Sequence, residues 1–204
     1  MIDTIIFDLG GVLIDWNPRY LYQKIFHTEK EINWFLTNVC TREWNEQQDA
    51  GRSFVEANKE LVAKFPQYEY AILSWTKRWE ETFSGPIQES VHILSVIRDA
   101  RQQRLFALTN WSAETFPLAL KRFDFLHWFE GIVVSGEVKM KKPDPAIFQL
   151  LLKRYSINPS RALFIDDTFK NIETARSLGI DSIHFTGYQI LQSELSRRNL
   201  YPAS

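Results

Sequence analysis

From Ile87 onward the chain alternates short apolar runs with amphipathic stretches, and that alternation restricts the fold more than any single motif does. The runs "RLFALTN", "GIVVSG", "RALFIDD" and "DSIHF" read as buried strands, as does "IIF" at Ile5–Phe7. Between them, "IQESVHILSVIRDARQQ" brings Val91, Leu94 and Ile97 to one face at helical spacing. "SAETFPLALKRF" opens on Ser112 as an N-cap, and "DPAIFQLLLKRYSI" on Asp144 with Pro145 at the first helical position. "FKNIETARSLG" ends with Gly179 as its C′ residue. Strands alternating with helices predict an α/β fold, a doubly wound parallel sheet covered on both faces with right-handed crossovers.

The segment from Asp15 to Ser84 breaks this rhythm. It has no clear apolar strand and four helix-like stretches: Pro18–Phe26, Glu29–Val39, Arg52–Lys64 and Tyr68–Glu81. Of the 7 tryptophans it carries Trp16, Trp34, Trp44, Trp75 and Trp79, which suits the core of a helical bundle better than ligand contact. Turn residues cluster near Asp15 and in "SGP", Ser84–Pro86. The expected organisation is an α/β core from residues 1–14 and 85–204, with an inserted helical segment over 15–84.

Composition excludes several function classes. A net charge of −1 over 204 residues gives no global attraction to nucleic acid or to an anionic membrane. No run approaches the roughly 18 apolar residues of a membrane span, and the first residues lack the basic region and apolar core of a secretory signal. A lone cysteine, Cys40, forms no disulfide within the chain and suits a reducing cytoplasm, with burial as its expected role. His27, His92, His127 and His184 are too dispersed for a metal-ligand pattern and read as structural.

In an open parallel sheet, ligands bind beyond the carboxyl ends of the strands. Predicted strands end there in Asp8, in Thr109 and Asn110, and in Asp166 and Asp167, while Lys142 lies in the loop after "GIVVSG". Carboxylates, a hydroxyl and an ammonium at one edge suit a divalent cation with a phosphate. Mg²⁺ takes hard oxygen ligands, and lysine and hydroxyl groups hold phosphate oxygens. The neighbouring Lys139 and Lys141 read as solvated.

In order and spacing, "FDLGGV", "LTN", "KKPDP" and "FIDDTFKNIETARSLG" resemble the four motifs of the haloacid-dehalogenase-like (HAD) hydrolase superfamily. The resemblance spans the chain and implies a Rossmann-like core, with residues 15–84 similar to the helical cap of subfamily I. The fuller stretch "FDLGGVLIDW" resembles a branch of small bacterial phosphatases that includes α-D-glucose-1-phosphate phosphatase. The resemblance implies that Asp8 is a nucleophile forming an aspartyl-phosphate and a ligand of Mg²⁺. It implies that Thr109 binds phosphate, with Asn110 beside it, and that Lys142 stabilises the transition state. Asp167 becomes a direct metal ligand and Asp166 a nearby or water-mediated one. The implied substrate is a small phosphorylated metabolite. "DWNPR" enters the cap, so Trp16, Asn17 and Arg19 are expected to face it.

The chain departs from the family pattern at one position. Two residues after the nucleophile the family usually carries a second aspartate, the general acid and base; here Gly10 stands in that place. Gly10 still offers its carbonyl to the metal, and Gly10 and Gly11 together let the backbone turn tightly. Proton transfer then falls to water, to the substrate or to a cap carboxylate such as Asp15, Glu43 or Glu46. Three readings follow: a Mg²⁺-dependent phosphatase, a metal-independent 2-haloacid dehalogenase, and a non-catalytic binding protein. The acidic pair Asp166–Asp167 argues against the dehalogenase, and only Gly10 favours the non-catalytic form.

Overall fold

A computed structural model describes residues 1–202; the end of the expected core, 203–204, lies outside the described residues. Five strands form one parallel sheet in the order β5-β4-β1-β6-β7: β1 Thr4–Phe7, β4 Arg104–Thr109, β5 Gly131–Val134, β6 Ala162–Asp166 and β7 Asp181–His184. Successive side chains alternate across the sheet. Ile5, Phe7, Leu105, Ala107, Leu163 and Ile165 join one apolar cluster, while Ile6, Phe106, Leu108 and Phe164 join another on the opposite face. The first face is covered by α6 (Gln88–Ala100) and α11 (Tyr188–Arg197), the second by α9 (Pro145–Arg154) and α10 (Phe169–Ser177). Burial on both faces explains why the strand runs are apolar throughout instead of alternating. The strand order reverses at β1, so the ends of β1 and β6 form a crevice of the kind that receives ligands.

Asp144 caps α9 by accepting the Ala146 N–H at 2.9 Å, and Gly179, at φ +80°, follows the end of α10. The helix expected to have Ser112 as its N-cap instead begins three residues later, as α7 (Phe116–Arg122) with Thr115 at the N-cap. Ser112 Oγ accepts the Glu114 N–H in a turn, and Pro117, which lacks an N–H, occupies the first helical turn. A short α8 (Ser135–Val138) follows β5.

The inserted segment holds α1 (Arg19–Tyr22), α2 (Glu29–Asn38), α3 (Arg42–Asp49), α4 (Phe54–Lys64) and α5 (Glu69–Lys77). Two features differ from expectation. The crossings into and out of the helices are not loops but strands: β2 (Ile14–Trp16) pairs antiparallel with β3 (Phe83–Pro86). Helix α3 was not expected from the sequence, because Trp44 is the sole large apolar residue in "REWNEQQD". Thr41 starts it by accepting the Trp44 N–H at 3.1 Å.

Trp44, Trp75 and Trp79 are buried, with the Trp44 and Trp75 rings edge to face at 5.3 Å. Trp34 departs from the expected core role: it is exposed and rests on Tyr68. Tyr22, Phe35 and Trp75 belong to the same apolar cluster as Ile5 and Phe7, so one continuous core runs from the sheet into the helices. Cys40 is buried as expected, and burial pushes its thiol up to about 12, which keeps it inert. Among the described residues no helix is long and apolar enough to cross a membrane.

Candidate active site

The buried run of β1 ends at Asp8, which is almost fully enclosed. Lys142 answers this cost. Its ammonium, equally buried, lies 3.0 Å from Asp8 Oδ1 and 2.6 Å from Asp166 Oδ2. Asn110, just past the end of β4, fixes the lysine backbone from both sides: Lys142 N–H donates to Asn110 Oδ1 at 2.8 Å, and Asn110 Nδ2 donates to the Lys142 carbonyl at 2.9 Å. Thr109 ends β4 as a buried hydroxyl on the same cavity wall.

Asp166 and Asp167 are adjacent but differ in environment. Asp166 is fully buried, and its oxygens accept from Lys142 Nζ, from Asn171 Nδ2 at 2.9 and 3.0 Å, and from the Thr168 N–H at 2.8 Å. Asp167 stands open to the cavity, and His184 bonds its backbone carbonyl at 3.0 Å. Carboxylate oxygens of Asp8, Asp166 and Asp167 lie within 4.8 Å of one another. Burial, reinforced by Asp166 and Asp167 and opposed by Lys142, holds the Asp8 carboxyl well above its ordinary range. Burial and the Asp166 charge raise Asp167 as well. Burial acts to lower the Lys142 ammonium, but Asp166 and Asp8 outweigh it and raise it. Three carboxylates against one ammonium leave excess negative charge, which a divalent cation would neutralise, and an all-oxygen donor set suits Mg²⁺. Asp166, already saturated with hydrogen bonds, is the least available of the three to a metal.

After Asp8 the chain doubles back sharply. The Leu9 carbonyl accepts the N–H groups of Leu13 (2.8 Å) and Ile14 (2.9 Å), and among the described residues no backbone donor reaches the Gly10 carbonyl. The turn needs glycine at Gly11, not at Gly10. Gly11 has φ +74°, and a Cβ there would lie 2.4 Å from Asp167 Oδ2, whereas a Cβ on Gly10 would meet nothing within 4 Å. Gly10→Asp should therefore melt within about 3 °C of wild type, while Gly11→Ala should lose roughly 1–2 kcal/mol, several degrees in a chain of this size. Equal melting temperatures for the two variants would contradict this account of the turn.

A cavity of about 460 Å³ opens over these groups, within the range of small-molecule sites. Asp8, Thr109, Asn110, Lys142 and Asp167 form its floor, and Trp16, Asn45, Glu46, Asp49 and Trp75 of the inserted segment form its roof. A smaller recess of about 80 Å³ adjoins it, walled by Gly10, Trp16, Phe54, Trp79 and Trp111. Of the three cap-entry residues, only Trp16 faces the site. Asn17 instead accepts the Arg19 N–H at 3.0 Å as a local turn cap, and Arg19 pairs with Glu29 and Asn33 on the outer surface.

The expected cap acids also divide. Asp15 accepts the Tyr20 hydroxyl on both oxygens, Glu43 is exposed outside the cavity, and Glu46 is on its wall. Lys141, expected to be solvated, reaches Glu46 at 2.7 Å and ties the helices to the core. Asp49, Asn45, Thr168 and Asn171 were not anticipated. The one sequence signal for the last two was their place just beyond the acidic pair, in "DDTFKN".

Residues 2–179 match the family model of the haloacid dehalogenase-like hydrolases. A phosphorylated carbohydrates phosphatase of Thermotoga maritima is 25% identical over 186 residues, covering 89% of this chain and 84% of that protein. A predicted HAD-like hydrolase from Porphyromonas gingivalis superposes with a TM-score of 0.73 at 24% identity, covering 97% of this chain and 98% of its own. A HAD-family enzyme from Bacteroides thetaiotaomicron, solved with magnesium and inorganic phosphate, gives 0.66 at 23% identity, covering 90% and 93%. These structural likenesses establish the Rossmann-like α/β fold.

Proposed function

The chain belongs to the haloacid dehalogenase-like hydrolases, and from that premise we propose that it is a Mg²⁺-dependent phosphatase of a small phosphorylated metabolite. The observation that carries the reading is the buried Asp8–Lys142–Asp166 cluster with Asp167 alongside, open to a cavity of metabolite size. Asp8 is the nucleophile, whose carboxylate oxygen attacks phosphorus to form an aspartyl-phosphate that water then hydrolyses. Lys142 supplies a fixed positive charge beside the attacked group, already oriented by Asn110 and Asp166 before substrate arrives. The Thr109 hydroxyl and Asn110 are the phosphate's hydrogen-bonding partners. Asp8, the Gly10 carbonyl and Asp167 would hold the cation, with Asp166 behind them. When bound, the cation neutralises phosphate charge and lets a carboxylate approach it.

The roof over the site favours small substrates over phosphoproteins, and the named activity of the Thermotoga relative supports the same class. The test is phosphate release across a panel of sugar and other small phosphates, with Mg²⁺ and with EDTA. Release that stops with EDTA and returns with added Mg²⁺ is expected. Undiminished turnover in excess chelator would overturn the metal-dependent mechanism.

A further inference from the structure

Breaking the phosphate ester of an aliphatic alcohol leaves an oxygen that needs a proton, and a positioned acid typically contributes about 10²–10⁴-fold. The groups on the cavity floor are committed elsewhere. Asp8 attacks, Asp167 is assigned to the cation, Lys142 is pinned between two carboxylates, and Asp166 behind them is saturated by Lys142, Asn171 and Thr168. Gly10, on the wall of the recess, has no side chain, and the space before it is open.

One roof carboxyl borders both spaces. Asp49, the last residue of α3, lines the main cavity with Asp8 and Lys142 and the recess with Gly10 and Trp111. It therefore stands where a leaving group passing from phosphate to recess would lie. Its position is fixed from the core: Ser135 Oγ donates to the Asp49 carbonyl at 2.5 Å, and Lys141 grips Glu46 at 2.7 Å. Asn45 Nδ2 donates to Asp49 Oδ2 at 3.1 Å.

We propose that Asp49 is the catalytic acid and base of the phosphatase reaction, a role supplied from the inserted helices instead of from the strand-end loop. This rests on the phosphatase reading above. In the first step Asp8 Oδ forms a bond to phosphorus, the ester P–O bond breaks, and the departing oxygen takes the electron pair and the Asp49 proton. In the second, the Asp49 carboxylate takes a proton from water as that water attacks phosphorus. The acyl-phosphate P–O bond breaks, phosphate leaves, and Asp8 and Asp49 return to their starting states. Burial, with Glu46 adding and Lys141 opposing, lifts the Asp49 carboxyl to about 7, where both protonation states are accessible near neutrality. The charged groups around it are Glu46 and Arg42 on α3, Lys141 and Lys142 from the loop below, and Asp8 and Asp167 across the cavity; Glu114 nearby is held on the Phe54 N–H.

The experiment compares an alkyl phosphate with p-nitrophenyl phosphate, whose leaving group needs little protonation. Asp49→Asn should lower kcat/KM, which reports the ester-breaking step alone, at least about 10²-fold for the alkyl ester and less than tenfold for the aryl ester. In the wild type, kcat/KM for the alkyl ester should decline as pH rises through about 7, because the acid is then ionised, and Asp49→Asn should lack that decline. Glu46→Gln removes a negative neighbour and frees Lys141, so the decline should move to lower pH. That shift tests the same assignment with Asp49 in place should Asp49→Asn fail to fold. Equal losses of kcat/KM on both esters, or a decline that Glu46→Gln does not move, would overturn the assignment while leaving the phosphatase standing. A wild type that hydrolyses neither ester would remove both.

Discussion

Asp8→Asn is expected to retain less than about a thousandth of wild-type phosphate release, a barrier increase of about 4 kcal/mol. The amide keeps the shape of the side chain and can still accept the Leu9 N–H, which Asp8 Oδ1 receives at 2.7 Å, so the fold should persist. What disappears is the charged attacking oxygen, and neither acid beside it replaces it: Asp166 is saturated, and Asp167 lies in the neighbouring loop beyond β6. Phosphate release and a thermal melt on the same preparation separate lost chemistry from lost structure. Retention of more than about a tenth of the rate, a loss below about 1.4 kcal/mol, would remove Asp8 from the nucleophile's role.

The second large effect concerns stability. Lys142→Met should lower the melting temperature by roughly 6–20 °C, because stranding one side of a buried ion pair costs about 3–5 kcal/mol and a chain of this size shifts about 2–4 °C per kcal/mol. The cost arises because, among the described residues, Lys142 is the sole cation touching both Asp8 and Asp166, each of which is buried. Adding Asp166→Asn should recover part of the loss, since one of the two stranded charges is then gone. A melting temperature within about 2 °C of wild type would mean that the cluster tolerates its charge without the lysine.

The sheet and its acidic edge were legible because burial on both faces forces continuous apolar runs, and the polar residue ending each run stands out against them. Asp8, Thr109 and Asp166 announce themselves in this way. The roof was much less legible. Helix α3 is held by Thr41 at its start and by contacts from Ser135 and Lys141, which are distant in sequence; its polar and apolar groups are segregated, but with Trp44 as its sole large apolar residue the stretch reads as a solvated run. Asp49, in "QQDAG", looks like an ordinary solvated helix end, and only tertiary burial changes its chemistry. Asn17 and Arg19 erred in the opposite direction: adjacency to Trp16 carried them into the expected site, but at the start of α1 Asn17 accepts the Arg19 N–H and Arg19 turns toward Glu29 and Asn33. The connecting strands were missed because "SGP" is turn chemistry by composition and became a strand only through its partner.

That pairing has a consequence for how such a molecule can be built and rebuilt. Ile14 stands opposite Pro86 in the β2–β3 ribbon, so the inserted helices leave and rejoin the core at neighbouring points. To the rest of the chain, everything between them is a long excursion that ends where it began. Lengthening such an excursion adds little entropic cost, since closure grows only with the logarithm of its length. The helical roof is thus an exchangeable part: another insert with adjacent ends could be grafted on the same ribbon without altering the strand order. The graft would have to bring its own apolar face to meet Trp111, as Trp79 does, and its own carboxyl where Asp49 stands. Selectivity could then diversify in the insert while the phosphate-handling floor stayed fixed.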